Sequence, residues 1–279
     1  MADRADMKEI LKRKTKAFIE LMPWGADLYH RYWIYPRADD RVLGVFPDYD
    51  AALKVAGGRS QANYDRNNVK KTREKEQQIV DDYFQDSDYP ALFWLSQIMT
   101  NESRIIELGG SVGYAFYSYR RRLTYPEGMR WTIVELPEAV RLGREIAAAR
   151  SEQQLSFTES IGDCGQCSIF LTSGTLQYIQ RDVSDMIREF PRAPDHLIIN
   201  RVPVYDGEEY WTVQNLGTNK VPYRIHCRKR LIDSLAELGY KLHDTWKKPR
   251  KVFVPFAPER TVENYEGFYL RHTNAVCLR

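Results

Sequence analysis

Residues 104–117 read Arg-Ile-Ile-Glu-Leu-Gly-Gly-Ser-Val-Gly-Tyr-Ala-Phe-Tyr, and the rest of the chain is read outward from them. Ile105, Ile106 and Leu108 form a short apolar run with Glu107 near its end. Gly109, Gly110, Ser111 and Gly113 follow, and an aromatic-rich segment begins at Tyr114. An apolar run bounded by glycines predicts a buried strand, a tight turn and a helix start. Glycine lets the backbone turn sharply and approach a ligand with no Cβ in the way, and a helix start leaves N–H groups without intrahelical partners. In open α/β sheets ligands bind outside the carboxyl ends of the strands, where Glu107 and this turn would lie.

From residue 104 onward, short apolar runs alternate with helical spacing, the pattern of βαβ units and a parallel sheet. Strands are predicted at 104–108, 131–136, 155–158, 168–173, 196–202 and 211–215, with a seventh at 240–246. Helical spacing covers 112–123, 137–150, 176–190 and 228–238, with Gly239 as a stop. Seven strands, the last two after the main alternation, predict an α/β fold: a Rossmann-like, doubly wound, seven-stranded sheet. Upstream, Met7, Ile10, Leu11, Phe18 and Met22 recur at helical spacing, a Pro, Gly and aromatic-rich stretch runs from 23 to 64, and 69–84 is strongly charged. The predicted organisation is a mainly helical N-terminal lobe or lid over 1–100 and the doubly wound domain over 101–279.

A chain of 279 residues with 43% hydrophobic and 28% charged residues excludes disorder and a disulfide miniprotein. Its 41 basic and 38 acidic side chains leave a net charge of +3, spread over both signs, which gives no nucleic-acid footprint. The longest apolar stretch, 90–95, is far below the roughly 18 residues of a membrane span. The N-terminus has no secretory pattern, and four cysteines fit a reducing compartment, so a cytoplasmic location is expected. Cys164-x-x-Cys167 has metal-ligand spacing, but Cys227 and Cys277 do not form the second pair that zinc would need, so no metal is expected.

A second acid, Glu135, ends the next predicted strand 28 residues after Glu107. An acid there can accept both hydroxyls of a ribose. No frame supplies the G-x-G-x-x-G of a pyrophosphate turn or a G-x-x-x-x-G-K-S/T loop. Instead Glu107-x-Gly109-x-Ser111-x-Gly113 resembles the acid-x-Gly-x-Gly-x-Gly motif of class I S-adenosylmethionine-dependent methyltransferases, with Ser111 in place of the middle glycine. The segments 44–53, 88–95, 107–117, 130–138, 155–160, 171–179, 196–207, 212–217, 237–246 and 265–271 look like a methyltransferase family found mainly in bacterial polysaccharide and natural-product gene clusters.

That resemblance implies S-adenosylmethionine as cofactor and S-adenosylhomocysteine as product. The cofactor would be held by Glu107, Gly109, Gly110, Ser111, Gly113, Glu135 and Leu136, by Ser173 and Gly174 beneath the transferred methyl, and by Glu159 and Ser160 near the adenine. Tyr64, in the segment Asn-Tyr-Asp-Arg-Asn, belongs to the region that closes over the cofactor in the resembling family. The lobe would then cover an acceptor site.

On the acceptor side, Asn200, Arg201, Tyr205 and Asp206 follow the fifth strand, at the edge where acceptors sit in this architecture. Arg201 could clamp an acceptor carboxylate or pair with an internal acid; Tyr205 and Asp206 could orient a hydroxyl or form a turn. Tyr178 is a pocket wall or plain core, and Tyr223 is grouped with the acceptor. An alcohol acceptor benefits from a general base, worth about 10²–10⁴-fold. Among the five histidines, His226 after the sixth strand is the candidate base, with a surface or capping role as its alternative; Asp206 joins it in the catalytic set. His196 and His243 read as structural.

The expected activity is methylation of a small-molecule acceptor, with oxygen favoured and nitrogen or carboxylate left open. A nicotinamide oxidoreductase is the rival among enzymes, but the sequence lacks the third phosphate glycine it requires at the right spacing, and a non-catalytic partner-binding protein on a degenerate fold is the rival of another class. The basic N-terminal helix suits a lid or an oligomer contact, with a homodimer among the assemblies left open.

Overall fold

In the computed structural model, residues 42–57, 79, 83–216 and 220–275 are described. The first amphipathic helix, Tyr64 and nearly all of the charged segment 69–84 lie outside these residues.

Strand β1 (Val42–Phe46) leads into helix α1 (Tyr49–Val55), which Asp48 caps by accepting the Ala51 N–H at 2.8 Å. Helix α2 (Tyr89–Ile98) carries Pro90 in its first turn, where a backbone N–H has no partner to lose, and buries Ala91, Leu92, Leu95 and Ile98. The alternating part follows: β2 (Arg104–Leu108), α3 (Tyr114–Arg120), β3 (Arg130–Val134), α4 (Pro137–Ala149), β4 (Leu155–Thr158), β5 (Ile169–Ser173), α5 (Val183–Ile187) and β6 (His196–Tyr205). A hairpin, β7 (Tyr210–Asn215) and β8 (Lys220–Cys227), precedes α6 (Arg228–Ala236), β9 (Tyr240–Val252) and β10 (Val262–His272).

Strands β4, β3, β2, β5 and β6 are parallel neighbours in that order. Antiparallel β10 joins β6, and β9 joins β10. These seven strands form the doubly wound sheet. Successive residues of β2 serve opposite faces: Ile105 packs with Trp131, Phe116 and Leu95, whereas Ile106 packs with Phe170, Leu176 and Leu197. Both faces are covered, as expected for a parallel sheet. The strand order reverses between β2 and β5, and the crevice beyond their carboxyl ends is where ligands bind in such sheets.

The doubly wound sheet is as expected, but it is continuous with three further strands to make ten, and of the last two strands expected only 240–246 belongs to its seven. Residues 211–215 belong to the hairpin β7–β8, which pairs with β1 and with the far end of β6. Every residue of β7 is buried, so it reads as a two-faced parallel strand although it is antiparallel. The closing strands are β9 and β10. The helix expected over 176–190 is a 3₁₀ turn (Leu176–Tyr178) followed by α5, with Arg181 and Asp182 between them ion-paired to Glu189 and to the buried Arg224. His226 lies inside β8, opposite Val204, rather than after a strand.

Candidate active site

The turn after β2 wraps over the carboxyl of Glu107. That side chain is buried and accepts the indole N–H of Trp131 at 2.9 Å. A Cβ on Gly110 would lie 2.6 Å from the Glu107 carboxyl, so glycine is needed there for close approach. Gly109 and Gly113 have φ of +77° and +97°, and Ser111, at +53°, adopts the same left-handed conformation with a side chain. An L residue there costs about 1–2 kcal/mol, while glycine loses about 0.4–1 kcal/mol through its freer unfolded chain. Ser111→Gly is therefore expected to stabilise the protein by about 0.5–1 kcal/mol, read as a rise in urea midpoint.

The second acid meets the first through this turn. Glu135 accepts the Ser111 N–H at 3.3 Å and the Leu136 N–H at 2.7 Å, which holds its carboxylate beside the glycines. On the neighbouring strand, Ser173 Oγ accepts from Asn200 Nδ2 at 3.0 Å and from Arg201 Nε at 2.9 Å. Gly174 has φ +72°, and the Thr175 hydroxyl donates to Gly109 O at 3.4 Å, tying the two loops together.

Burial pushes the Glu107 carboxyl up to about 8; the Trp131 hydrogen bond opposes the shift, Asp88 adds to it, Arg201 opposes it and Glu135 adds to it. Because the folded value lies above the unfolded one, the folded chain binds more protons, and this group's stabilisation is lost as pH rises from the ordinary carboxyl range toward about 8. Glu107→Gln keeps an acceptor for Trp131 and removes the titration. The variant should therefore gain thermal stability relative to wild type as pH is raised toward about 8, in melting curves of the ligand-free protein.

Several other expected site residues have their polar atoms engaged within the fold. Asn200, 1% exposed, also donates to Ser87 O at 3.1 Å and Asp88 Oδ1 at 3.0 Å, while its carbonyl accepts the Trp246 N–H at 2.8 Å. Asp206 accepts from Arg228 Nε at 2.7 Å, and Tyr205 donates to Glu259 O at 2.9 Å. Tyr178 donates to Gln214 Oε1 at 2.8 Å and meets the Tyr223 ring edge-on at 5.4 Å; the Tyr223 hydroxyl bonds that of Tyr265. Ser160 caps a 3₁₀ turn by accepting the Gly162 N–H at 3.2 Å, and Glu159 is exposed. His226 is buried, with its Nδ1 3.9 Å from Glu209, and burial beside Arg224 lowers it to about 3. Such an imidazole is a weak base at neutral pH. His196 bonds the Tyr269 hydroxyl at 2.9 Å inside the core.

Asp88, Trp131 and Trp246 complete this arrangement and were not among the expected residues. Trp131 was foreseeable in principle, since parallel pairing places it two residues along β3 from the partner of Glu107, on the same face. Asp88 and Trp246 come from distant elements and leave no local signal.

Among the described residues, no helix is long and apolar enough to cross a membrane, and no group of three or more His, Cys, Asp or Glu side chains could hold a metal ion. No protein-family model and no curated protein matches the sequence. Among solved structures, a LepI variant in complex with S-adenosylhomocysteine and a substrate analogue matches with a TM-score of 0.50 and 12% identity, over 92% of this chain and 64% of that one. The 1,6-didemethyltoxoflavin-N1-methyltransferase of Burkholderia thailandensis matches at 0.49 with 17% identity, over 77% and 92% of the two chains. The magnesium protoporphyrin IX methyltransferase of Synechocystis matches at 0.46 with 14% identity, over 80% and 90%. The strand order is that of a Rossmann-like doubly wound sheet, and the LepI likeness is one of fold.

Proposed function

We propose that this protein is an S-adenosylmethionine-dependent methyltransferase acting on a small molecule, with oxygen as the favoured acceptor atom. The observation that carries this reading is the joining of Glu107 and Glu135 across one glycine turn at the crevice of the sheet. The residues fit the cofactor. Glu135 would take the ribose hydroxyls. Gly109, Gly110, Ser111 and Gly113 would let the chain approach the methionine portion, and Ser173 and Gly174 would line the methyl path. The likeness to the toxoflavin and porphyrin enzymes is a likeness of fold, and the small-molecule acceptor is inferred from the resemblance described above.

The cofactor supplies an electrophilic methyl group on a sulfonium. This chain's part is to bind, align and exclude water. Holding two reactants in line supplies roughly 7–11 kcal/mol of a barrier, and that is the main contribution assigned to the protein here. The buried, neutral His226 is not assigned the role of base. Glu107 would ionise when a cationic ligand arrives, so cofactor binding should release a proton and tighten as pH rises toward about 8.

The activity is tested by incubating the protein and methyl-labelled S-adenosylmethionine with separated small-molecule, protein and nucleic-acid fractions of a cell extract. The label is expected in a small molecule and absent with Glu135→Ala. Label in protein or nucleic acid instead would contradict the substrate class.

A further inference from the structure

The carboxyl edge of the sheet carries a cationic cluster that the cofactor reading leaves unused. Strands β6 and β10 lose register between Glu266 and Phe268, which leaves Asn200 and Arg201 in a bulge. Arg201 there has φ +59°, a conformation an L residue holds at a cost and one that clusters at ligand sites. Its Nε and Nη2 bond Ser173, its guanidinium lies 3.9 Å from Asp88, and its Nη1 has no hydrogen-bond partner among the described residues.

Lys248 on β9 is half-buried beside it. Its Nζ donates to Gln85 Oε1 at 3.0 Å and Ser87 Oγ at 3.2 Å, both neutral, and it has no carboxylate within ion-pair distance among the described residues. Burial lowers the Lys248 ammonium, Arg201 and Arg250 lower it further, and Asp88 and Asp86 oppose them. Asp88, the acid paired with Arg201, is 1% exposed and already accepts from Asn200. A half-buried cation without a counter-charge is costly unless a partner completes it.

We propose that Arg201 and Lys248 are the anion-binding part of the acceptor site, so that the methylated molecule carries a carboxylate, sulfate or phosphate group. This rests on the methyl-transfer reading and narrows its substrate class. Arg201 supplies a planar fork suited to an oxyanion, and Lys248 a point charge. The position of Lys248 favours the acceptor over the cofactor's own carboxylate, because β9 is separated from the glycine turn on β2 by β10, β6 and β5.

The test is a calorimetric titration of sodium sulfate into the full chain saturated with S-adenosylhomocysteine, against sodium chloride at equal ionic strength so that screening is not read as binding. Wild type is expected to bind sulfate in the millimolar range, and Lys248→Met and Arg201→Gln at least about tenfold more weakly, with the S-adenosylhomocysteine affinity of Lys248→Met within about threefold of wild type. Lys248 lies on the edge strand and decides the matter alone if Arg201→Gln does not fold. Absent sulfate binding, or equal binding by the variants, would overturn the proposal. So would a tenfold loss of S-adenosylhomocysteine affinity in Lys248→Met, since that charge would then serve the cofactor. Failure of wild type to bind S-adenosylhomocysteine would overturn the methyl-transfer reading instead. Sulfate titrated into the unliganded chain would still decide the anion site by the same comparison of variants.

Discussion

Glu135→Ala is expected to weaken S-adenosylhomocysteine binding by at least about tenfold and up to about a hundredfold. The carboxylate stands at the end of β3 with one oxygen on the Ser111 N–H and the other on the Leu136 N–H, so its orientation is set before a ligand arrives. A hydrogen bond to a charged group contributes about 1.5–3 kcal/mol, and a ribose offers two hydroxyls to this acid. Loss of one bond already reaches the lower bound. The fold should tolerate the change, because Ser111 and Glu135 are half-exposed and water can take the released N–H. Calorimetry on wild type and variant reads the difference directly, and a loss below about threefold would remove Glu135 from the site.

The second large effect is on the turn itself. At Gly109, φ is +77° and an added Cβ would lie 2.1 Å from Thr175 Oγ1 and 2.3 Å from its Cγ2. Gly109→Ala therefore meets two penalties: about 1–2 kcal/mol for a left-handed L residue, and about 1–3 kcal/mol for displacing a packed side chain. Melting should fall by about 5–10 °C. Because Thr175 ties the β5 loop to the Gly109 carbonyl, cofactor affinity should fall with it. Gly165→Ala is the control, since Gly165 has φ +66° with nothing within 4 Å of its added Cβ. It carries only the backbone penalty. Equal losses for the two variants would show that the contact with Thr175 contributes nothing.

The parts of the fold legible in the sequence were those with a strong local pattern. Strand β2, its turn and the alternation through β6 announce themselves because each strand is an apolar run closed by turn residues. β9 does not. Its thirteen residues are mostly exposed and include Lys247, Lys248, Pro249, Arg250 and Lys251, the composition by which proteins blunt an edge strand. Only its first half was expected, and β10, which it covers, went unassigned. β7 misled for the opposite reason: burial on both faces imitates a parallel strand.

The site divides in the same way. Glu107 and Glu135 are legible because a motif and a spacing mark strand ends. The indole of Trp131 that bonds Glu107, like the Asp88 that bonds Asn200, depends on register between elements far apart in the chain. Asn200 shows the limit from the other side. A polar residue ending an apolar strand reads as a ligand contact, yet its amide is engaged by Ser87, Asp88, Ser173 and Trp246. A polar residue at that depth must be satisfied, and sequence alone does not say whether protein or ligand does so.

The turn between Glu107 and Glu135 is proposed to bind an S-adenosyl ligand. Calorimetric titration of S-adenosylhomocysteine, and separately of NAD, into the wild-type chain decides this. One-to-one binding of S-adenosylhomocysteine in the micromolar range, with no heat from NAD, is the predicted result. A folded chain that binds neither, or binds NAD in preference, would contradict it.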